Sequence, residues 1–414
     1  MNTNKKLMPL VLVSVLLLML TLTVAASAAE FDGEGSAENP YLISSAEQLA
    51  DLASAVNAGE TYQDIYFLLT EDIDLGGEDN PWTPIGKDNK KFAGVFDGGE
   101  HKITGLYFNS TGDYYQGLFG YSSGTIKNLT VNGSVNGSMY VGGIVGYSSG
   151  TIESCRFIGT VSSNTGSAGG IVGSSSGTIE GCYNAGDVSS EHEYAGGIAG
   201  YSSSNSTITN CLNDGTVSGG AHYVGGIVGY SNNGAITICH NTGYVSDGDS
   251  VGGIVGYNYN GAIENCCNTG TVSGGDYAGG IAGNSNNDVI TNCYSTGYVS
   301  VKTNNGGSIA GRNTGTITNC YYLNGLVKDS CAAAISTEEF AQEGTFTGWD
   351  FEGAWIMSSS LGRPILRAIT GIEVSRLEAA TLSLESVNIE FIETLVEESE
   401  SGDAAVDFDF IPEL

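Results

Sequence analysis

From Val141 to Cys320 short apolar runs and polar turns alternate with a fixed period. Gly-Gly followed by Ile returns at Gly142, Gly169, Gly196, Gly225, Gly252 and Gly279, at intervals of 27 residues with one of 29, and a last copy reads Gly306-Gly307-Ser308-Ile309. Each copy leads to an Ile-x-x-Cys block, which places cysteines at Cys155, Cys182, Cys211, Cys239, Cys266, Cys293 and Cys320. A Gly-x-Val-Ser block follows each of the first six of these cysteines. The apolar runs are short, β-branched and bounded by Asn-Gly or Ser-Gly turns, so helical repeats are excluded. The pattern predicts a parallel β-solenoid with three short strands per coil of about 27 residues, each coil stacking on the last at about 4.8 Å.

Stacking in register makes every position a ladder. Ile144, Ile171, Ile198, Ile227, Ile254, Ile281 and Ile309 form one predicted core ladder, and Ile152, Ile179, Ile208, Ile236, Ile263, Ile290 and Ile317 another. Ile152 and Cys155 are three apart, so a corner falls between them if both point inward; the pattern does not say where. Asn184, Asn213, Asn241 and Asn268 form a fourth column, expected to bond amide to amide along the stack in a turn. Like charges would repel along such columns, and Val141 to Cys320 holds only eleven acidic and three basic residues.

The flanks are not periodic. Residues 1–28 carry Lys5-Lys6, an apolar run and Ala26-Ser27-Ala28, the pattern of a secretory signal peptide, with a retained membrane anchor as the competing reading. Residues 29–80 form an expected N-terminal cap with one amphipathic helix: Ser45 and Gln48 make a capping box, Leu49, Leu52, Ala53 and Val56 share a face, and Gly59 ends it. Residues 81–129 read as irregular leading coils, with Leu129 where later coils carry cysteine, and 130–331 as the regular solenoid. Residues 332–370 form a closing segment, and 371–414 an acidic tail, expected to be partly disordered, with no apolar span.

These flanking motifs carry a resemblance. Asn39-Pro40-Tyr41-Leu42-Ile43-Ser44, Trp82-Thr83-Pro84-Ile85-Gly86, the Phe-x-Gly-x-Phe-Asp-Gly block from Phe92 and the glycine-rich repeats resemble the GLUG-motif family. The likeness runs from about Phe31 to Leu366. It implies an extracellular β-helical module of a bacterial or archaeal surface protein, adhesins included, and fixes architecture better than activity.

Charge and chemistry narrow the function. The whole chain has a formal net charge of −32, and removing residues 1–28 would leave −34, so nucleic acid is excluded as a partner. Nine cysteines in a secreted chain invite a disulfide framework, but one per coil at a fixed ladder position, with Leu129 as a substitute, predicts buried, reduced filler. Cys267 and Cys331 lie off the ladder and are the expected reactive thiols. No Cys-x-x-Cys exists, and the histidines at 101, 192, 222 and 240 are scattered, so no metal or other cofactor is expected. His192-Glu193 starts a zinc-peptidase motif and lacks its second histidine. The acids of the array fall at non-equivalent positions, against the carboxylate cluster that a polysaccharide lyase or hydrolase needs.

One repeated feature is left for binding. Tyr140, Tyr194, Tyr223 and Tyr277 recur just before the Gly-Gly pairs, and Tyr121, Tyr147, Tyr201, Tyr230 and Tyr257 just after the Gly-Ile-x-Gly segments. Such aromatics stack on sugar rings or a partner surface, or else clad the sheet. Ice binding would want a flat threonine array, and the column Thr160, Asp187, Thr216, Tyr244, Thr271, Tyr298 is too mixed. The expectation is a secreted or cell-surface β-helical module for adhesion, binding or structure, without catalysis, meeting surface glycans or host and partner proteins. It has no transmembrane segment beyond the signal peptide. The alternative is a carbohydrate-active β-helix enzyme.

Overall fold

The computed structural model describes residues 31–369 apart from 88, 111, 221, 303, 304, 328 and 330; the expected signal peptide and acidic tail lie outside the described residues. The repeats form a parallel β-solenoid. In a representative coil the chain runs through Val172–Ser175, Thr178–Glu180, Tyr183–Asn184 with Asp187–Ser190, and Tyr194–Gly196 before starting the next coil at Ala199. Stacked coils therefore build four sheets. We call them S1 (the Thr-Ile-x strands, eleven in all), S2 (the strands after each cysteine, sixteen), S3 (the strands before Gly-Gly, seven) and S4 (the strands after it, eight).

The three expected strands become four sheets because Gly-Gly-Ile folds one segment back on itself. S3 and S4 are joined by two residues, such as Gly197-Ile198, and lie too close for side chains between them. A Cβ on the first glycine of the motif would sit 2.0 Å from the carbonyl oxygen three residues on, as at Gly196 and Ala199. A Cβ on the second would meet the ladder asparagine, 2.3 Å from Asn213 Oδ1 at Gly197. The glycine after the next residue abuts the S3 backbone one coil earlier, 2.5 Å from Val224 N at Gly256. All three glycines are demanded by close approach.

Both isoleucine ladders are buried, except that Ile317 in the last coil is partly open. The corner between Ile152 and Cys155 falls at Ser154, which is left-handed with φ 52°; Asn128, Asn210, Asn265, Asn292 and Asn319 repeat it at 51–56°. Asparagine tolerates that region, whereas the β-branched Ile238, with φ 53°, strains it. The asparagine ladder runs inside the core. Asn184 Nδ2 donates to Asn213 Oδ1 (2.7 Å), Asn213 to Asn241 (2.8 Å) and Asn241 to Asn268 (2.8 Å), and each Nδ2 also reaches a glycine carbonyl two residues on. From Asn184 to Asn268 each side-chain amide of this column is thus paired along the axis.

The seven ladder cysteines are buried, and none of the nine cysteines is in a disulfide. Burial pushes the thiols of Cys155, Cys211, Cys239 and Cys293 well above the usual range. Cys267 corrects the sequence reading, since it is 1% exposed. It stands on the outer face of S2 with Leu212 and Tyr294, and the segment 337–369 folds back over that face to form a second core with Trp349 and Trp355. Trp355 Nε1 donates to Asn265 (3.1 Å) and Tyr294 donates to the Pro364 carbonyl (2.9 Å).

Both ends are managed. Helix α1, Ala46–Ala58, buries Leu49, Leu52, Ala53 and Val56 in the same core as Ile43 and Phe67. Ser45 accepts the Gln48 N–H, but the Gln48 side chain reaches back to Ser44 N (2.8 Å) rather than closing a box on Ser45. At the far end Asp329 replaces a missing coil. Ile281 N and Ala282 N both donate to the Ile309 carbonyl of the next coil; Ile309 N and Ala310 N, which have no next coil, donate to Asp329 Oδ2 (3.1 and 3.0 Å).

Two outcomes follow from this packing. A bulky thiol reagent should label the native chain at Cys331 alone, and reductant should leave the melting temperature unchanged; native labelling at Cys267 would mean the folded-back segment does not cover it. Asp329→Ala removes a carboxylate that holds two buried N–H groups and should lower stability by about 2–3 kcal/mol. It also bares an S4 edge, so light scattering should show concentration-dependent association. An equally stable, unassociated variant would refute the end-capping role.

Candidate binding surface: a tyrosine stripe and the pocket at its end

The tight S3–S4 pair carries its tyrosines in two parallel columns. Tyr194 stacks over Tyr223 in S3, and Tyr201, Tyr230 and Tyr257 follow one another in S4. Because no side chain separates the two sheets, the columns merge. Tyr194, Tyr201, Tyr223, Tyr230 and Tyr257 form one packed group with ring centroids 4.9–5.9 Å apart. Tyr121, Tyr140 and Tyr147 form a second group together with Tyr115, which the periodicity did not single out. Ser167 and Ser174 interrupt the stripe between the groups. Tyr277 stands apart beside Ser250, with the Arg312 guanidinium 5.9 Å from its ring.

Self-stacking decides what the stripe offers. Tyr194 and Tyr223 are stacked with nearly parallel planes, 4° apart at 5.7 Å, so ring faces are largely taken by neighbouring rings and the surface presents edges and hydroxyls. Burial, then Glu193 and neighbouring tyrosines, pushes the Tyr194 phenol up to about 12, and burial with neighbouring tyrosines does the same to Tyr230. They stay protonated donors at any physiological pH. Tyr257 OH accepts from Asn286 Nδ2 (3.1 Å) and Tyr147 OH pairs with Ser176 Oγ (3.1 Å).

At the N-terminal end of the stripe the leading coils leave a cavity of about 270 Å³. Trp82, Phe108, Tyr114 and Tyr115 form aromatic walls, and Thr83, Lys87, Asp113 and Gln116 bring polar groups. The Trp82 indole is fixed by Nε1 donating to the Leu118 carbonyl (3.0 Å). Gln116 is 3% exposed; its Nε2 donates to the Tyr114 carbonyl (2.8 Å), and its Oε1 is buried with no hydrogen-bond partner. Periodicity could not reveal the group, because Phe108 and Gln116 fall in columns that later coils fill with Val135 and Val141, and Tyr115 precedes the first regular ring of the stripe; the available signal was a cluster of aromatic and charged residues in the coils that break the repeat.

Other chemistry is dispersed. His101 pairs with Asp72 and His222 with Asp249, both exposed, and His240 lies buried in S2. Among the described residues no three His, Cys, Asp or Glu side chains stand together as a metal site. Two acidic pairs depart from the expectation of non-equivalent positions: Glu153 lies in register over Glu180, on the open outer face of S1, and Asp249 lies over Asp276 at the entry to S3. Asp288 is buried at 2% exposure; burial pushes its carboxyl up to about 6 although the Asn286 and Gly261 amides donate to it.

The architecture defines a parallel β-solenoid repeat protein. Two of its repeats, residues 137–162 and 247–273, match the GLUG motif. The chain is 39% identical over 107 residues to a protein of Evansella cellulosilytica provisionally named a Gly-rich membrane protein, a match that takes in 24% of this chain and 12% of that one. It is 40% identical over 124 residues to Halomucin of Haloquadratum walsbyi, across 28% of this chain and 1% of that one. The matches therefore span a small fraction of either relative. Among solved structures, a Bacteroides ovatus protein provisionally named an immunoglobulin A1 protease superposes with a TM-score of 0.46 and 23% identity, over 81% of this chain and 94% of that one. No helix among the described residues is long and apolar enough to cross a membrane.

Asp288 gives a pH test. Its carboxyl has an ordinary value of 3.8 and a folded value of about 6, so between those pH values the folded chain holds a proton that the unfolded chain has released. Stability from this group is present at low pH, falls as pH rises through that window, and is lost above it. Asp288→Asn should flatten the difference between denaturant melts at pH 4.5 and pH 7 and raise pH 7 stability by about 1–3 kcal/mol. Identical pH dependence in both proteins would show that Asp288 does not titrate from a buried site.

Proposed function

We propose that the chain works outside the cell as a rigid adhesion and binding module, without catalysis, that presents the S3–S4 tyrosine stripe to surface glycans or partner proteins. The observation that carries this reading is the stripe itself. Eight tyrosines of the S3 and S4 columns interlock in two groups on one side of a glycine-tight double sheet. A rod of stacked coils has little hinge freedom, so a ligand binding along it orders few protein groups. The signal-peptide pattern at the N-terminus and the names of the relatives, a Gly-rich membrane protein and Halomucin, support a cell-surface setting. The net charge of −32 disfavours polyanionic partners.

The enzyme reading has weaker support. A glycosidase needs two carboxyl groups flanking a sugar bond in a cleft. Glu153 and Glu180 are adjacent but stand on an open sheet face away from the pocket, and Asp288 is enclosed.

Serine is the natural replacement in the stripe, as Ser167 and Ser174 demonstrate. Tyr201→Ser with Tyr230→Ser should keep the fold, at about 1–3 kcal/mol for the lost ring contacts. Retention of the labelled protein on whole cells, read by flow cytometry, should fall severalfold. Undiminished retention by the folded double variant would remove the stripe from the binding role.

A further inference from the structure

We propose that the cavity at the N-terminal end of the stripe is a binding pocket for a single neutral sugar ring, the terminal residue of a glycan. The inference rests on reading the chain as a glycan-facing module and assigns the recognition to residues outside the tyrosine stripe. The first observation is the orphaned acceptor. Gln116 is 3% exposed, spends its amide N–H on the Tyr114 carbonyl, and leaves Oε1 buried without a partner beside the cavity. A buried acceptor is normally satisfied, and Gln116 lines the cavity, so rotation of its side-chain amide would bring this oxygen to a hydroxyl of whatever fills it.

The second observation is the lining. A pyranose presents C–H groups on its faces and hydroxyls around its rim, and this cavity sets aromatic walls from Trp82, Phe108 and Tyr114 against polar groups from Lys87, Asp113 and Gln116. Asp113 already accepts the Ser110 hydroxyl (2.7 Å), which orients its carboxylate, and a second oxygen remains for a sugar hydroxyl. One lysine and one aspartate give the lining no net charge, which favours a neutral sugar over a uronate or a sulfated one. About 270 Å³ lies just below the range of roughly 300–1,000 Å³ usual for drug-sized ligands, so one ring fits and a chain does not.

The third observation is position. Tyr115, one wall of the cavity, is also the first ring of the stripe: its centroid lies 6.0 Å from Tyr121 and 5.4 Å from Tyr140. A glycan whose end enters the pocket would therefore meet the stripe with its next residues. The Trp82 wall is held by backbone and indole hydrogen bonds before any ligand arrives, while Tyr114, 52% exposed, flanks the opening.

The test titrates the full chain with cellotetraose, chitotetraose and mannotetraose as neutral probes and tetragalacturonate as a charged one, by saturation-transfer NMR and calorimetry. At least one neutral probe should bind, with tetragalacturonate bound at least tenfold more weakly. Tyr114→Ala changes an exposed side chain and should fold normally, yet weaken binding tenfold or more. Asp113→Asn should weaken it severalfold, and Gln116→Met, if folded by circular dichroism, should do the same. Three results would overturn the pocket: no neutral probe bound at millimolar concentration, affinity untouched by Tyr114→Ala, or a preference for the uronate. If cell retention still depends on Tyr201 and Tyr230 while no probe binds, the pocket fails and the stripe stands. If a probe binds in a Tyr114-dependent way while the double serine variant keeps full retention, the stripe fails and the pocket stands.

Discussion

A side chain in this solenoid must be compatible with a copy of itself one coil away. Stacking in register sets that condition at every position, and it explains the composition better than any preference for strand formers does. Isoleucine and valine satisfy it by packing, cysteine by being small and apolar, and asparagine by having a donor and an acceptor on one amide, so that each copy bonds to the next (2.7–2.8 Å). Charged residues fail it, and the array accordingly holds few. The exceptions lie where the condition lapses: Asp288 occurs in one coil only, held by the Asn286 amide of its own coil and the Gly261 amide of the coil before, and Phe157 stands where the next coils carry asparagine.

The Gly-Gly-Ile-x-Gly motif meets a different demand. Its first and last glycines let S3 and S4 approach until backbones touch, and its second leaves interior room for the asparagine ladder. The surface follows from that economy of space. With nothing between the sheets, two tyrosine columns that would otherwise stand on separate faces close into one layer of interlocked rings. The same glycines that permit the core thus shape the exterior.

What could be read from the sequence was whatever repeats. The isoleucine ladders, the cysteine column and helix α1 recur at fixed spacing or follow known capping chemistry, and each lies where it was expected; the two tyrosine series are legible as columns for the same reason. What could not be read depends on non-periodic contacts. Cys267 looked reactive because it is off the ladder, but 337–369, with no repeat of its own, buries it from outside. The corner at Ser154 is a backbone conformation shared by serine, asparagine, glycine and even Ile238, so no single residue type marks it. Trp82, Tyr114 and Gln116 converge from irregular coils whose register only the folded chain fixes.

The Asp329 carboxylate has a consequence for how such proteins change length. It stands in for a carbonyl that any additional coil would supply, and it touches the last coil alone. Helix α1 is tied to the leading coils, where Asn57 Nδ2 donates to the Pro84 carbonyl (3.0 Å). Neither terminus therefore measures the number of coils between them. A slip of 27 residues during copying of the gene would insert or remove one coil and leave both closures intact, so the reach of the rod is free to drift by single rungs while its ends, and whatever they display, stay the same.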